Sequence, residues 1–375
     1  MNRNISMGQG KSSINKGRLR AAFLGTSEPG LRLIEIVSRM PEFEIAGLGG
    51  RNKELAENTA DMYGCRYYDD PRQMILSCGA ELLLAASQHA PHEGIITLAF
   101  QKGLSVVRTM PPFFSLSQAA NIISEAQNNN AFYFSTSPFR NYPGYRRLLE
   151  FFSENKELKK KVCLIEARGF FPSGSSEQES HWLKDPELAG GGVLLRNCFS
   201  VINILVELFS LPETVYALKS NMAGDIVQRN MVTEDCISMT VKFSETLGCT
   251  LCAARNEFAH KERIDIYLPD MKISAGPEIF RITDISGSEI ELTSAEASRE
   301  QAIEENLRVV HKLLKSAEID DDAAEKSAAV NTRERGLINT MAVIEAAYLS
   351  CKTQTPEMPD KMIELSGFDY SMLET

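Results

Sequence analysis

Apolar and polar positions follow two different rhythms along this chain, and the change falls near residue 138. From Arg18 onward, short apolar runs are separated by amphipathic stretches of helical period. The order is "RAAFLG", a helix through Leu31 to Arg39, "FEIAGLGG", a helix "KELAENTADMYG", "ELLLAAS", a helix "HEGIITLAFQKG", "LSVV", a helix "SLSQAANIISEAQNN" and "AFYFS". Strand alternating with helix builds βαβ units, so residues 18–137 are expected to form a doubly wound parallel sheet with helices on both faces. Beyond "SPFRNYPGYRRLLEFF" come strand-like runs with a single helix among them, after "AGGG": "KVCLIEARGFF", "TVYALKSNM", "CISMTVKFS", "GCTLCAARN" and "RIDIYL". Successive strands of this kind predict an α+β domain with a largely antiparallel open sheet over residues 138–355. A helix from about Ser294 to Ser316, an acidic loop "EIDDDAAEKS" and a helix "ERGLINTMAVIEAAYLSC" follow. Residues 1–17 read as a flexible tail and 356–375 as a C-terminal tail or interdomain strap.

Composition narrows the class. A chain of 375 residues, 43% of them hydrophobic, can bury the cores of two domains. Its net charge of −10 argues against binding nucleic acid, and the basic cluster at Lys156, Lys159, Lys160 and Lys161 is local. The first apolar run, "AAFLG", is too short for a signal-peptide core or a membrane span, so a cytoplasmic protein with no membrane partner is expected. Of eight scattered cysteines the close pair Cys249 and Cys252 lies in a strand-like run, where odd spacing sends the thiols to opposite faces. Zinc needs converging sulfurs and further ligands, so no metal is expected and the cysteines read as structural.

"FLGTSEPGLRLIEIV" follows a predicted strand and opens a helix, the context of a dinucleotide fingerprint. Gly25 permits the tight turn and Gly30 close packing of helix on sheet, with Ser27 at the middle position and Thr26, Glu28 and Pro29 completing the loop. A helix N-terminus holds phosphate whatever the side chains there. The second strand should end in an acid for the ribose hydroxyls, but reads Gly49, Gly50, Arg51 and Asn52. The missing acid removes repulsion toward a 2′-phosphate that Arg51 can pair with, which favours NADP(H) over NAD(H). The alternative is that Arg51 is a solvated loop residue.

Several ordered pieces resemble the Gfo/Idh/MocA oxidoreductases, the family of glucose-fructose oxidoreductase and inositol dehydrogenase, over about Arg18 to Thr355. "ASQHAPHEGIITLAFQKGLSVV" is similar to the family's fourth strand, its T-P-x-x-x-H turn and the next helix. Ser87 and His92 fall on the Thr and His; His89 and His92 are expected on the nicotinamide side, with Ser87 and Gln88 also among the cofactor contacts. "DPELAGGGVLL" is similar to the D-P-x-x-A-G-G-G segment, and "TEDCISMTVKFSETLG" to the E-D strand of the second domain. The resemblance implies a Rossmann first domain that binds a nicotinamide dinucleotide and a second domain that contributes to a sugar- or cyclitol-oxidising site. It also implies a Lys from E-K-P and an H-x-x-D pair for the proton.

This chain departs at each of those positions. "VVRTMPPFF" puts Thr109 on the Glu, Met110 on the Lys and Pro111 on the proline. "GGGVLLRNCFSVIN" puts Ser200 on the His, Asn203 on the Asp, and Arg196 where the family has a further Asp. Removing hydride from an alcohol near neutral pH wants a base titrating in that range, and none of Met110, Ser200 or Asn203 is one. Substitute candidates are His181, His92 and Tyr142, while His260 and His311 read as surface residues. Arg140, Trp182, Arg196, Ser200 and Asn203 are the expected substrate contacts. Arg196 either suits an anionic ligand or pairs with Glu179 or Asp185. Two functions stand open: an NADPH-dependent reductase of a small electrophilic or anionic metabolite, or a silent dehydrogenase scaffold that binds a nucleotide or metabolite or supports a partner subunit. A homodimer or homotetramer through the second-domain sheet is expected, because "CISMTVKF" and "CTLCAA" are apolar enough for both faces to need cover.

Overall fold

The computed structural model describes residues 17–86, 93–172, 185–221, 232–256, 260–316 and 323–373. The first domain runs β1 (Leu19–Leu24), α1 (Glu28–Arg39), β2 (Phe43–Gly49), α2 (Lys53–Met62), β3 (Tyr67–Tyr68), α3 (Pro71–Ser77), β4 (Leu82–Ala85), α4 (Glu93–Gln101), β5 (Ser105–Arg108), α5 (Leu116–Asn128) and β6 (Tyr133–Ser135). All pairings are parallel and the strand order is β3-β2-β1-β4-β5-β6. Residues of β4 and β5 are buried at every position, as a sheet covered on both faces requires. This is the doubly wound sheet expected from the sequence, its order reversing between β1 and β4, where such folds bind ligands.

The second domain holds α6 (Pro143–Glu154), β7 (Leu164–Pro172), α7 (Pro186–Ala189), α8 (Val193–Arg196), α9 (Phe199–Phe209) and β8 (Thr214–Ser220). It continues with β9 (Cys236–Ser244), β10 (Leu247–Asn256), β11 (Lys261–Tyr267), β12 (Met271–Ala275), β13 (Ile279–Asp284) and β14 (Glu289–Ser294). Their eight-stranded sheet has the order β14-β13-β12-β11-β7-β10-β9-β8, antiparallel except where β7 meets β10. Its inner face packs under α6 and α9. The outer face corrects the expectation that both faces are apolar: Ile237, Met239 and Val241 point in, while Ser238, Thr240, Thr250 and Cys252 point out. Cys249 is buried and Cys252 exposed, on opposite faces of β10. Outward-facing Asp265 accepts from Ser274 Oγ at 2.6 Å and Arg263 Nε at 2.8 Å, with Lys272 at 3.4 Å and Arg168 at 3.6 Å.

The chain then returns to the first domain. α10 (Arg299–Ser316) lays Ile303, Leu307 and Val310 into the core under α1, and α11 (Ala323–Thr353) adds Val330. Fully buried Glu334 of α11 accepts from the backbone N–H of Tyr133 on edge strand β6 at 3.1 Å and from Gln127 Nε2 at 2.5 Å. The last segment is no loose tail. α12 (Pro359–Ser366) packs between α11 and α5, and Ile363, Phe368 and Leu373 are buried. Among the described residues no single helix is long and apolar enough to cross a membrane.

Candidate functional site

The β1–α1 turn is built for close approach. Gly25 has φ +107°, its N–H donates to Gly49 O at 2.8 Å, and a Cβ on Gly30 would fall 2.5 Å from Gly25 O. Both glycines thus serve as the sequence suggests. Ser27 stands at the N-cap of α1, but its hydroxyl donates to Ala86 O at 2.7 Å, so no side chain caps the first turn. The free N–H groups there leave an opening suited to a diphosphate, and the residues present fit a dinucleotide on that ground. Glu28 is turned into an ion pair with Arg32 at 2.7 Å. At the end of β2 a Cβ on Gly50 would lie 3.0 Å from Thr26, which sets the two loops against each other. Arg51 is exposed, with neither hydrogen bond nor ion pair among the described residues. Asn52 is engaged otherwise than expected: its Oδ1 caps α2, accepting from Leu55 N at 3.1 Å. Ser87, Gln88, His89, His92, His181 and Trp182 lie outside the described residues.

The glycine segment before α8 explains itself structurally. The buried Glu234 carboxylate accepts from Gly192 N at 2.9 Å, Leu194 N at 3.0 Å and Tyr348 Oη at 2.9 Å. An anion thus sits on the start of α8, where the helix dipole favours it. A Cβ on Gly191 would meet Tyr348 Oη at 2.0 Å and one on Gly192 would meet Glu234 O at 2.0 Å. The A-G-G-G and E-D segments are one lock, joining α8 to β9.

The positions of the expected proton relay are filled by packing groups. Met110, after β5 and joined to Pro111 by a cis peptide bond, lines a cleft of about 30 Å³ with Pro29, Leu33, Thr109, Thr136, Arg299 and Ile303. Ser200 is buried with its Oγ 3.2 Å from Ser137 Oγ. Asn203 Nδ2 donates to Gly336 O at 3.1 Å and Thr340 Oγ1 at 3.0 Å, tying α9 to α11. Arg140 forms a two-pronged pair with Glu207, Nη2 to Oε1 at 2.7 Å and Nη1 to Oε2. Arg196 ends α8, partly buried.

A larger hollow, about 730 Å³, opens where β7, β11 and the β12–β13 turn meet the start of α6. Tyr142, Arg168, Phe170, His260, Glu262 and Arg281 line it. Burial pushes the Tyr142 hydroxyl above its ordinary value. Ala297 belongs to the wall of this hollow and Arg299 to the cleft at Met110, so a short stretch before and into α10 divides the two spaces. His260 is not the plain surface residue expected: Nε2 lies 2.9 Å from Oε2 of Glu262, whose side chain is fully shielded, and its ring packs 5.3 Å from that of Phe171. The signal that could have found the pair is an acid in the inward phase of a strand, Glu262 alternating with Ile264 and Ile266. His311 is half-buried rather than a plain surface residue, its ring edge-on to Phe43 at 5.8 Å and its Nε2 2.7 Å from Gly17 O.

Residues 19–137 match the model of the Gfo/Idh/MocA family, described as an oxidoreductase family with an NAD-binding Rossmann fold. A comparison with curated protein sequences gives no match. Among solved structures, an oxidoreductase from Agrobacterium radiobacter in complex with NAD+, L-tartaric acid and magnesium is 14% identical, with a TM-score of 0.75 over 92% of this chain and 99% of that one. Levoglucosan dehydrogenase in complex with NADH and levoglucosan is 14% identical, with a TM-score of 0.75 over 91% of this chain and 99% of that one. Biliverdin reductase from Synechocystis, in complex with biliverdin and NADP+, is 15% identical, with a TM-score of 0.69 over 89% and 99%. At these identities the likeness is one of fold. Over residues 19–137 the chain thus matches the Gfo/Idh/MocA oxidoreductase family model, and that first domain has an NAD(P)-binding Rossmann fold.

Proposed function

We propose that this chain is an NADPH-dependent reductase of a small electrophilic, anionic metabolite, working without the Lys, His and Asp that its family resemblance implies. The observation that carries the reading is the pairing of an uncapped α1 start with an exposed Arg51 and no acid at the end of β2. The N–H groups at the start of α1 would hold the diphosphate, and Arg51 a 2′-phosphate. When bound, the dinucleotide supplies a hydride. Met110 covers the space beside Thr109 and Pro29 with a side chain that excludes water and exchanges no proton. Ser200 and Asn203 hold α9 in place against Ser137 and α11. An alcohol substrate would need a base at those positions, whereas a strongly electrophilic acceptor takes hydride first and a proton afterwards. The Synechocystis neighbour carries NADP+ and the Agrobacterium one NAD+, so the fold accepts either dinucleotide.

The test is binding and turnover with all four dinucleotides. Thermal shifts should be larger with NADPH and NADP+ than with NADH and NAD+. Arg51→Ala should weaken NADPH binding about tenfold or more, as expected for a lost charge-assisted hydrogen bond, and leave NADH within about twofold. Inositols and common sugars should not be oxidised. Equal weakening for NADPH and NADH, or no shift with any of the four, overturns the reading.

A further inference from the structure

The start of α1 is thinly equipped for a doubly charged group. Of its first three positions only Glu28 and Gly30 carry a backbone N–H, because Pro29 has none, and the Ser27 hydroxyl is engaged by Ala86 O at 2.7 Å. Glu28 also sets a carboxylate in the first turn, where it repels a phosphate, and its 2.7 Å pair with Arg32 only balances that charge. Residues 25–31 contribute no cation of their own. A dinucleotide's diphosphate on this turn therefore lacks a positive partner beyond the helix dipole.

The chain's return from the second domain brings one to the same place. The narrow cleft beside Met110 is lined by Pro29, Arg32 and Leu33 of α1 and by Arg299 and Ile303 of α10, together with Thr109 and Thr136. Those threonines stand just past the last residues of β5 and β6, at the carboxyl ends of the strands, the side on which a doubly wound sheet takes its ligand. Arg299, the first residue of α10, is exposed and has neither hydrogen bond nor ion pair among the described residues. No carboxylate lines the cleft with it, and the adjoining Glu300 is turned toward Arg39 at 3.7 Å. Burial raises the Tyr142 hydroxyl and the Glu262 hydrogen bond raises the His260 imidazole, and the charge of Arg299 opposes both. A field that reaches groups on other elements is not cancelled at its source. The planar fork of an arginine is also the side chain best matched to phosphate oxygens.

We infer that Arg299 holds the diphosphate of the dinucleotide from across the cleft, supplying the positive charge that Pro29 and Glu28 deny to the start of α1. The inference rests on the dinucleotide binding in the reading above. It assigns Arg299 to a part common to NADPH and NADH, whereas Arg51 concerns the 2′-phosphate alone. The seat of the cofactor then joins two stretches far apart in sequence, the β1–α1 turn and the first turn of α10.

The experiment is a binding titration of the full-length protein with NADPH, NADH and ADP-ribose, the last of which keeps the diphosphate and lacks the nicotinamide. The variants are Arg299→Gln and Arg299→Lys, compared at matched melting temperature without ligand, as an exposed side chain allows. Arg299→Gln should weaken all three ligands about tenfold or more, the ordinary effect of a lost charge-assisted hydrogen bond. Arg299→Lys, which keeps the charge, should bind all three more tightly than Arg299→Gln does. Weakening of NADPH alone, or unchanged affinity for ADP-ribose in Arg299→Gln, overturns the inference and leaves the reductase reading standing. A parent that binds none of the three overturns both.

Discussion

Glu334 is a carboxylate placed where water cannot reach it, accepting the backbone N–H that an edge strand would otherwise leave unpaired. Burial lifts its pKa from 4.5 to about 7, against the smaller opposing pull of the Tyr133 and Gln127 hydrogen bonds. The sign follows from linkage. A folded-state pKa above the unfolded one means that the stability tied to protonation is complete below about 4.5 and is lost as pH rises through about 7. The parent should therefore lose stability between pH 5 and pH 8 by an amount on the order of 2 to 3 kcal/mol at most. Glu334→Gln keeps an acceptor for Tyr133 and removes the charge, so urea titrations of this variant should show that pH slope reduced and higher stability at pH 8. The Gln127 amide must turn over to present its oxygen, which trims the gain. An unchanged slope would show that Glu334 is not the titrating group.

At the scale of elements, the lock between α8 and β9 makes a sharper prediction. A methyl group on Gly192 would sit 2.0 Å from the carbonyl oxygen of Glu234, backbone that cannot swing aside. Gly192→Ala should destabilise by at least about 3 kcal/mol in denaturant titration, the upper range of overpacking. Gly248→Ala, with nothing within 4 Å of its added methyl, should stay within about 1 kcal/mol. The strands legible in the sequence were those with an unbroken apolar run or clear alternation, such as β1, β4, β9 and β10. β3 is only two residues, too short for any periodicity. β12 to β14 were missed because the edge of the open sheet is wet: β14 reads "EIELTS" and is exposed or half-exposed throughout. Gly25 and Gly30 were legible because their task is set within a single turn. Asn203 and Arg140 were not, because their partners, Gly336, Thr340 and Glu207, come from sequence-distant helices. His260 looked superficial because "AHKER" reads as charge, and only the phase of Glu262 with Ile264 and Ile266 betrays its burial.

At the scale of the molecule, the first domain is not closed by its own residues. Ile303, Leu307, Val310 and Val330 complete the core beneath α1, and Glu345 accepts the first N–H of α5 at 3.1 Å. A fragment of residues 17–137 should bind a hydrophobic dye and lack a cooperative melt, whereas the full chain should unfold in one transition by circular dichroism. A stable, cooperative fragment would refute this dependence. The homo-oligomer expected from the sequence rests on the outer sheet face, where Leu164, Tyr216 and Leu218 are exposed among polar neighbours. The expected light-scattering mass is a multiple of 41.7 kDa, weakened by salt if the charges around Asp265 take part, and a mass of 41.7 kDa overturns it.

The return of α10 and α11 onto the first domain also sets an order of events during synthesis. When Ser137 leaves the ribosome the parallel sheet is complete in sequence, yet α10 and α11, which complete the core beneath α1, are still unwritten. At ordinary elongation rates the wait until Thr353 emerges is on the order of tens of seconds. Through that interval the nascent chain presents a bare apolar flank, a natural substrate for chaperones that guard growing polypeptides. A stop codon anywhere before α11 should therefore yield not a shorter binding protein but one that is aggregated or degraded.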